Sequence, residues 1–122
     1  ELLQDRHRPE CFNPFMGSWA LLAHMRTHTH SVATSAGGHI YVFGGLSFGA
    51  VLDQTLRLDP GRGHWECLES MPTPRFECAA TALGGEVFVL GGANSCGEPL
   101  SVVECFSISA GRWRSMPRMI QS

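Results

Sequence analysis

Three tryptophans, Trp19, Trp65 and Trp113, stand 46 and 48 residues apart, and the pairs Gly44-Gly45 and Gly91-Gly92 stand 47 apart. A period of this size constrains the fold more than any other feature. One unit of about 47 residues cannot bury its own apolar face and must stack on copies of itself. The repeat holds at many offsets. An apolar residue, Phe12, Leu58 or Phe106, stands seven before each Trp, and Glu10, Leu56 and Glu104 stand nine before. Glu10-Cys11-Phe12 returns as Glu104-Cys105-Phe106. Each Gly-Gly closes an apolar run, Ile40–Phe43 or Val87–Leu90, and each run opens after a further pair, Gly37-Gly38 or Gly84-Gly85.

With 14 Gly and 7 Pro in 122 residues, the chain has no room for helices of ordinary length. Each period therefore reads as four short strands. In the later period they are expected at 76–83, 86–90, 101–108 and 112–115. In the earlier one they fall at 29–36, 39–43, 52–58 and 64–68, with Asp59-Pro60-Gly61 turning into the last. Two further strands are expected around Glu10–Pro14 and Trp19. The segment Ser18–Met25 is rich in helix formers, but its register with Trp65–Leu68 favours a strand.

The formal net charge of −2 argues against a nucleic-acid footprint. No apolar run reaches the ~18 residues of a membrane span. An N-terminus without a basic and then apolar stretch points to a cytoplasmic chain, with the nucleus as the alternative. Five cysteines, an odd number with no CxxC pair, suit a reducing compartment and are expected to be mostly buried and inert. Cys96, in a loop, is the most accessible of them. His24, His28 and His30 are of zinc-ligand type but lack an evident fourth ligand, so no metal is expected. With no GxSxG, no phosphate loop bearing Lys and no motif-placed carboxylate pair, the expectation is a non-enzymatic chain without a cofactor.

The combination of Met71-Pro72-Thr73-Pro74-Arg75, Gly85-Glu86-Val87-Phe88-Val89-Leu90-Gly91-Gly92, Val103-Glu104-Cys105-Phe106 and Trp113, in that order, resembles the kelch repeat of β-propellers. The first repeat departs from the pattern. Arg26 follows Met25, Leu56 replaces an acidic residue, and His28 or Thr29 takes the position of Arg75. The resemblance implies an all-β chain, a partial propeller. Residues 1–24 would be the second half of a preceding blade, 25–71 and 72–119 complete four-stranded blades, and 120–122 the start of another. Kelch rings usually close with five to seven blades, so the remaining blades are expected in a longer parent chain.

For function, the resemblance implies a protein or peptide partner held on a rim of loops. The substrate-binding propellers of cullin-3 ubiquitin ligase adaptors are the preferred likeness. Actin-binding or scaffold kelch proteins are the alternative, and a galactose-oxidase-like enzyme is the remote one. The expected rim residues are Arg75, Phe76, His28, Thr29, Ser47, Phe48, Asn94 and Ser95. Arg75 would offer its fork to an acidic peptide, or else fix its loop against neighbouring carbonyls. Gly44, Gly45, Gly91, Gly92, Trp19, Trp65 and Trp113 form the structural signature, the tryptophans packing blades.

Overall fold

A computed structural model describes residues 10–21 and 29–121. Strands β1 (Glu10–Asn13) and β2 (Ser18–Leu21) form a hairpin. Next come β3 (Val32–Ala36) and β4 (His39–Phe43), then a small ribbon of β5 (Leu46–Ser47) and β6 (Ala50–Val51), then β7 (Thr55–Asp59) and β8 (His64–Cys67). The sheet β3-β4-β7-β8 is antiparallel throughout, and β9 (Ala79–Leu83), β10 (Glu86–Leu90), β11 (Val103–Ser107) and β12 (Arg112–Met116) repeat it. The ribbon β5-β6 lies where the sequence suggests a plain loop.

The repetition is chemical as well as topological. The turns Gly37-Gly38 and Gly84-Gly85 hold φ of 56° and 79°, and of 58° and 79°. Two consecutive positive φ values are what a two-residue primed hairpin turn requires, and glycine takes them at no steric cost. The turns after β1, β7 and β11 also match. Asn13, Asp59 and Ser107 each accept from backbone N–H groups two or three residues on, at 2.9–3.4 Å. Their carbonyls accept from Gly17, Gly63 and Gly111 at 2.7–2.8 Å.

The innermost strands start later than the sequence suggests, at Val32 and Ala79 rather than at 29 and 76. The cause is the same in both blades. His30 and Glu77 adopt φ of 56° and 53°, which no strand tolerates. Thr29 and Phe76 are left as single bridges to Leu46 and Ala93. The segment Ser18–Leu21 is a strand as the register expects, and residues 22–28 lie outside the described residues.

The core lies between the two blades. Tyr41 and Phe43 of β4 meet Val87, Val89 and Phe106, all essentially buried, with Met71 closing one end. The Trp113 ring meets Phe43 edge-on at 5.5 Å and Phe106 at 5.1 Å, and its Nε1–H donates to the Glu69 carbonyl at 2.8 Å. Trp113 therefore packs one blade on the other. Trp19 is 66 % exposed and meets Phe12 of its own hairpin at 5.0 Å. Trp65 is half-buried. Trp113→Phe keeps the ring contacts and is expected to cost about 1 kcal/mol for the lost hydrogen bond. Trp113→Ala is expected to cost about 3 kcal/mol. Urea denaturation checks both, and equal losses would place the whole contribution in the hydrogen bond.

Candidate functional site

The two loop classes expected to bind a partner lie side by side. In the first blade Thr29 N–H donates to the Leu46 carbonyl at 2.9 Å and Leu46 N–H returns to Thr29 at 2.7 Å. In the second, Phe76 and Ala93 exchange the same two bonds at 3.2 and 2.9 Å. This register pairs Thr29 with Phe76, so His28 takes the slot of Arg75; His28 itself lies outside the described residues. The loops can approach because the signature glycines carry no Cβ. A Cβ on Gly44 would overlap the Arg75 carbonyl oxygen, and one on Gly45 the Ser31 hydroxyl. In the second blade, Gly92 lies against the Phe76 carbonyl and Cys78, and Gly91 faces the Met119 side chain.

Of the two roles expected for Arg75, the structure shows the brace on neighbouring carbonyls and not the peptide contact. Its side chain is 0 % exposed and reaches no partner-facing surface. Nη1 donates to the carbonyls of Gly91 at 3.0 Å and Val102 at 2.9 Å, and Nη2 to Glu104 Oε1 at 2.7 Å, while Nε meets no protein acceptor. Its backbone faces the other way, into the first blade, where Gly45 N–H donates to its carbonyl and its own N–H donates to Leu52. Arg75 thus joins the second and third strands of its own blade to the preceding blade. Glu104 carries the network to the surface, since its Oε2 accepts from the Thr73 hydroxyl at 2.8 Å.

The pairing left a trace in the sequence. The second repeat has both Arg75 and Glu104, and the first has neither, with His28 and Leu56 in their slots. Either charge alone would be stranded when buried, so a repeat with neither is as self-consistent as one with both.

The other rim residues sit as follows. Asn94 closes its loop through its own side chain: Oδ1 accepts from Cys96 N–H at 2.9 Å and Glu98 N–H at 3.0 Å, and Nδ2 donates to Glu98 Oε1 at 3.1 Å. Ser95 is exposed on this loop. Phe48 stands at the tip of the β5-β6 ribbon, 93 % exposed, and Ser47 beside it is half-buried and paired with Ala50. Phe76 is half-buried and meets the His30 ring edge-on at 6.4 Å, and Thr29 is exposed. Between the blades lies an open groove of about 370 Å³, lined by Val51, Thr73, Pro74, Asn94, Ser95 and Leu100. Val51, Thr73, Pro74 and Leu100 were not among the expected site residues. Their role depends on two loops from different blades meeting, which no local pattern encodes.

The cysteines also correct an expectation. Cys11, Cys67 and Cys96 are exposed, Cys78 is half-buried and Cys105 is buried. Cys67 lies on an outermost strand and Cys11 on the β1-β2 hairpin, where little covers them. The Cys105 thiol donates to Glu86 Oε2 at 3.2 Å, and burial and then that carboxylate push its pKa up. The Arg114 guanidinium, 2.8 Å away, and then the Cys105 bond hold Glu86 below the usual carboxylate value. Native-state alkylation is therefore expected to modify Cys11, Cys67 and Cys96 quickly and Cys105 only after unfolding. Mass mapping of the labelled peptides checks this, since thiolate fraction and access set the rate.

The kelch motif profile matches residues 28–72 and 74–120. Among curated proteins, a F-box/kelch-repeat protein of Arabidopsis thaliana is 37% identical over 82 residues, covering 65% of this chain and 21% of its own length. Kelch-like protein 35 of Mus musculus is 30% identical over 111 residues, covering 90% of this chain and 18% of its own length. Kelch repeat protein C2 of Vaccinia virus is 31% identical over 107 residues, 82% of this chain and 20% of its own length. The chain spans about a fifth of the length of these relatives.

Proposed function

The chain belongs to the kelch motif family, and from that premise we propose that its blades are part of the substrate-binding propeller of a ubiquitin ligase adaptor of the kelch-like, cullin-3 type. Kelch repeats form propeller blades whose general role is protein interaction. What supports a rim-binding role here is the groove between the two blades, flanked by an aromatic side chain left almost wholly in solvent at Phe48. Binding surfaces concentrate on loops held by a rigid scaffold, and exposed aromatics anchor partners at low entropic cost. Such a role places the protein in the cytoplasm, with the nucleus as the alternative.

The test uses the full-length protein that carries this chain. Cullin-3 is expected to co-purify with it and to remain bound when Phe48 is changed to Ser. Ubiquitin transfer to the captured partner is expected to fall by about tenfold, equivalent to roughly 1.4 kcal/mol of binding. Absence of cullin-3 together with co-sedimentation on actin filaments would replace the ligase reading with a scaffold one.

A further inference from the structure

We infer that the groove between the two blades takes a protein segment that presents an apolar side chain flanked by Lys or Arg, with Phe48 as a second apolar contact; this rests on the rim being the partner-binding face. Three observations converge on that chemistry.

The first is the lining. Val51, Pro74 and Leu100 supply apolar surface, and Thr73, Asn94 and Ser95 supply a few polar groups. The volume of about 370 Å³ is at the small end of ligand clefts and suits one or two side chains. The walls are braced. Thr73 is bonded to the buried Glu104, and Asn94 is tied into its own loop by three side-chain hydrogen bonds.

The second is Phe48. It occupies the first position of a two-residue turn at φ 50°, followed by Gly49 at 80°. An L-residue there costs about 1–2 kcal/mol, which Gly would avoid and Asn would reduce. The ring is also left in solvent. Strained residues of this kind cluster at binding sites. Phe48 is part of the same ribbon as Val51, through the pair Leu46–Val51, so its backbone is continuous with the groove wall.

The third is charge. Among the described residues, the segments building this rim hold Asp53, Glu69, Glu77 and Glu98, against Arg118 as the one exposed guanidinium and the His30 ring, 3.9 Å from Glu77. Arg118 donates to Ser101 at 3.4 Å. Arg75 contributes no field of its own at the rim, since it is buried against Glu104. Glu98 is held beside the groove by Nδ2 of Asn94, one of the lining residues. A cation beside the apolar anchor is attracted to this surface, and an acidic segment is repelled.

The test screens a random-peptide display library on the immobilised protein and measures enriched peptides by fluorescence anisotropy. Enriched peptides are expected to combine an apolar residue with Lys or Arg and to be poor in Asp and Glu. Phe48→Ser is expected to weaken them about tenfold, and Glu98→Gln, which keeps an oxygen for Asn94, about threefold with a shallower salt dependence. Ser95→Trp, which fills the groove from an exposed position, is expected to abolish binding. Enrichment of acidic peptides that are still lost on Ser95→Trp would overturn the charge assignment and leave the rim reading standing. Peptides that survive Ser95→Trp, or no enrichment at all, would overturn both.

Discussion

Breaking the Arg75–Glu104 pair from either side is expected to cost about 3–5 kcal/mol of folding stability. In Arg75→Leu the Glu104 carboxylate, 1 % exposed, keeps only the Thr73 hydroxyl among its side-chain partners. In Glu104→Leu the guanidinium keeps two carbonyls and loses its counter-charge. Both changes strand a charge in a medium that solvates it poorly. The double variant Arg75→Leu with Glu104→Leu removes both charges at once and is expected to lie within about 1–2 kcal/mol of the starting protein. The protein already contains a precedent, since Leu56 occupies the Glu104 slot of the first blade at 7 % exposure. A double-mutant cycle in urea measures the coupling, and strictly additive losses would refute the pairing. Partner affinity in the double variant is expected to fall no further than in Thr73→Val, which removes the same Thr73–Glu104 bond, because Arg75 itself touches nothing at the rim. A loss more than about tenfold beyond that of Thr73→Val would restore Arg75 as a direct contact.

Gly44→Ala is expected to be nearly as damaging, at about 3 kcal/mol or more. Two effects combine. At φ 60° an alanine pays about 1–2 kcal/mol for the left-handed backbone. Its Cβ would also overlap the Arg75 carbonyl oxygen, a backbone atom that accepts from Gly45 N–H and cannot rotate away. Gly37→Ala separates the two. Gly37 has nearly the same φ, 56°, and open space around its missing Cβ. It should cost only the conformational part, about 1–2 kcal/mol. Thermal or urea unfolding of the two variants gives the difference directly, and equal losses would mean that the loops can part to admit a methyl group.

Much of the fold was legible because its determinants are local. The second strands, His39–Phe43 and Glu86–Leu90, fall where an apolar run is bounded by glycine pairs on both sides. The first strands were overestimated because nothing in His30 or Glu77 announces a positive φ. The two positive-φ residues meet across the blade boundary, where Glu77 N–H donates to the His30 carbonyl at 3.0 Å. The ribbon β5-β6 is not legible as a hairpin because Phe48 is not a residue that turn chemistry predicts.

The site was less legible than the fold. Phe48, Asn94 and Ser95 are expected on a rim only through the resemblance to kelch repeats. The groove is not legible, since Val51 is separated in sequence from Thr73 and Pro74, and these again from Leu100. The cysteines failed for a related reason: Cys is buried on average, yet Cys67 sits on an outermost strand that no further strand covers.

By itself, then, the sequence determined a repeat of about 47 residues, four strands in each unit, and the glycines that let two loops meet. These follow from side-chain alternation, turn stereochemistry and the need of each unit to bury its face on the next. Only the tertiary structure decided what Arg75 is for. A long cationic side chain beside a loop can face solvent or turn inward, and both are locally allowed. The inward choice is fixed by acceptors 16, 27 and 29 residues away, Gly91, Val102 and Glu104, which strand pairing assembles at one point. Once those acceptors are desolvated together, their charge and lone pairs are satisfied by the guanidinium, and the residue that looked most like a binding group becomes part of the frame that holds the rim.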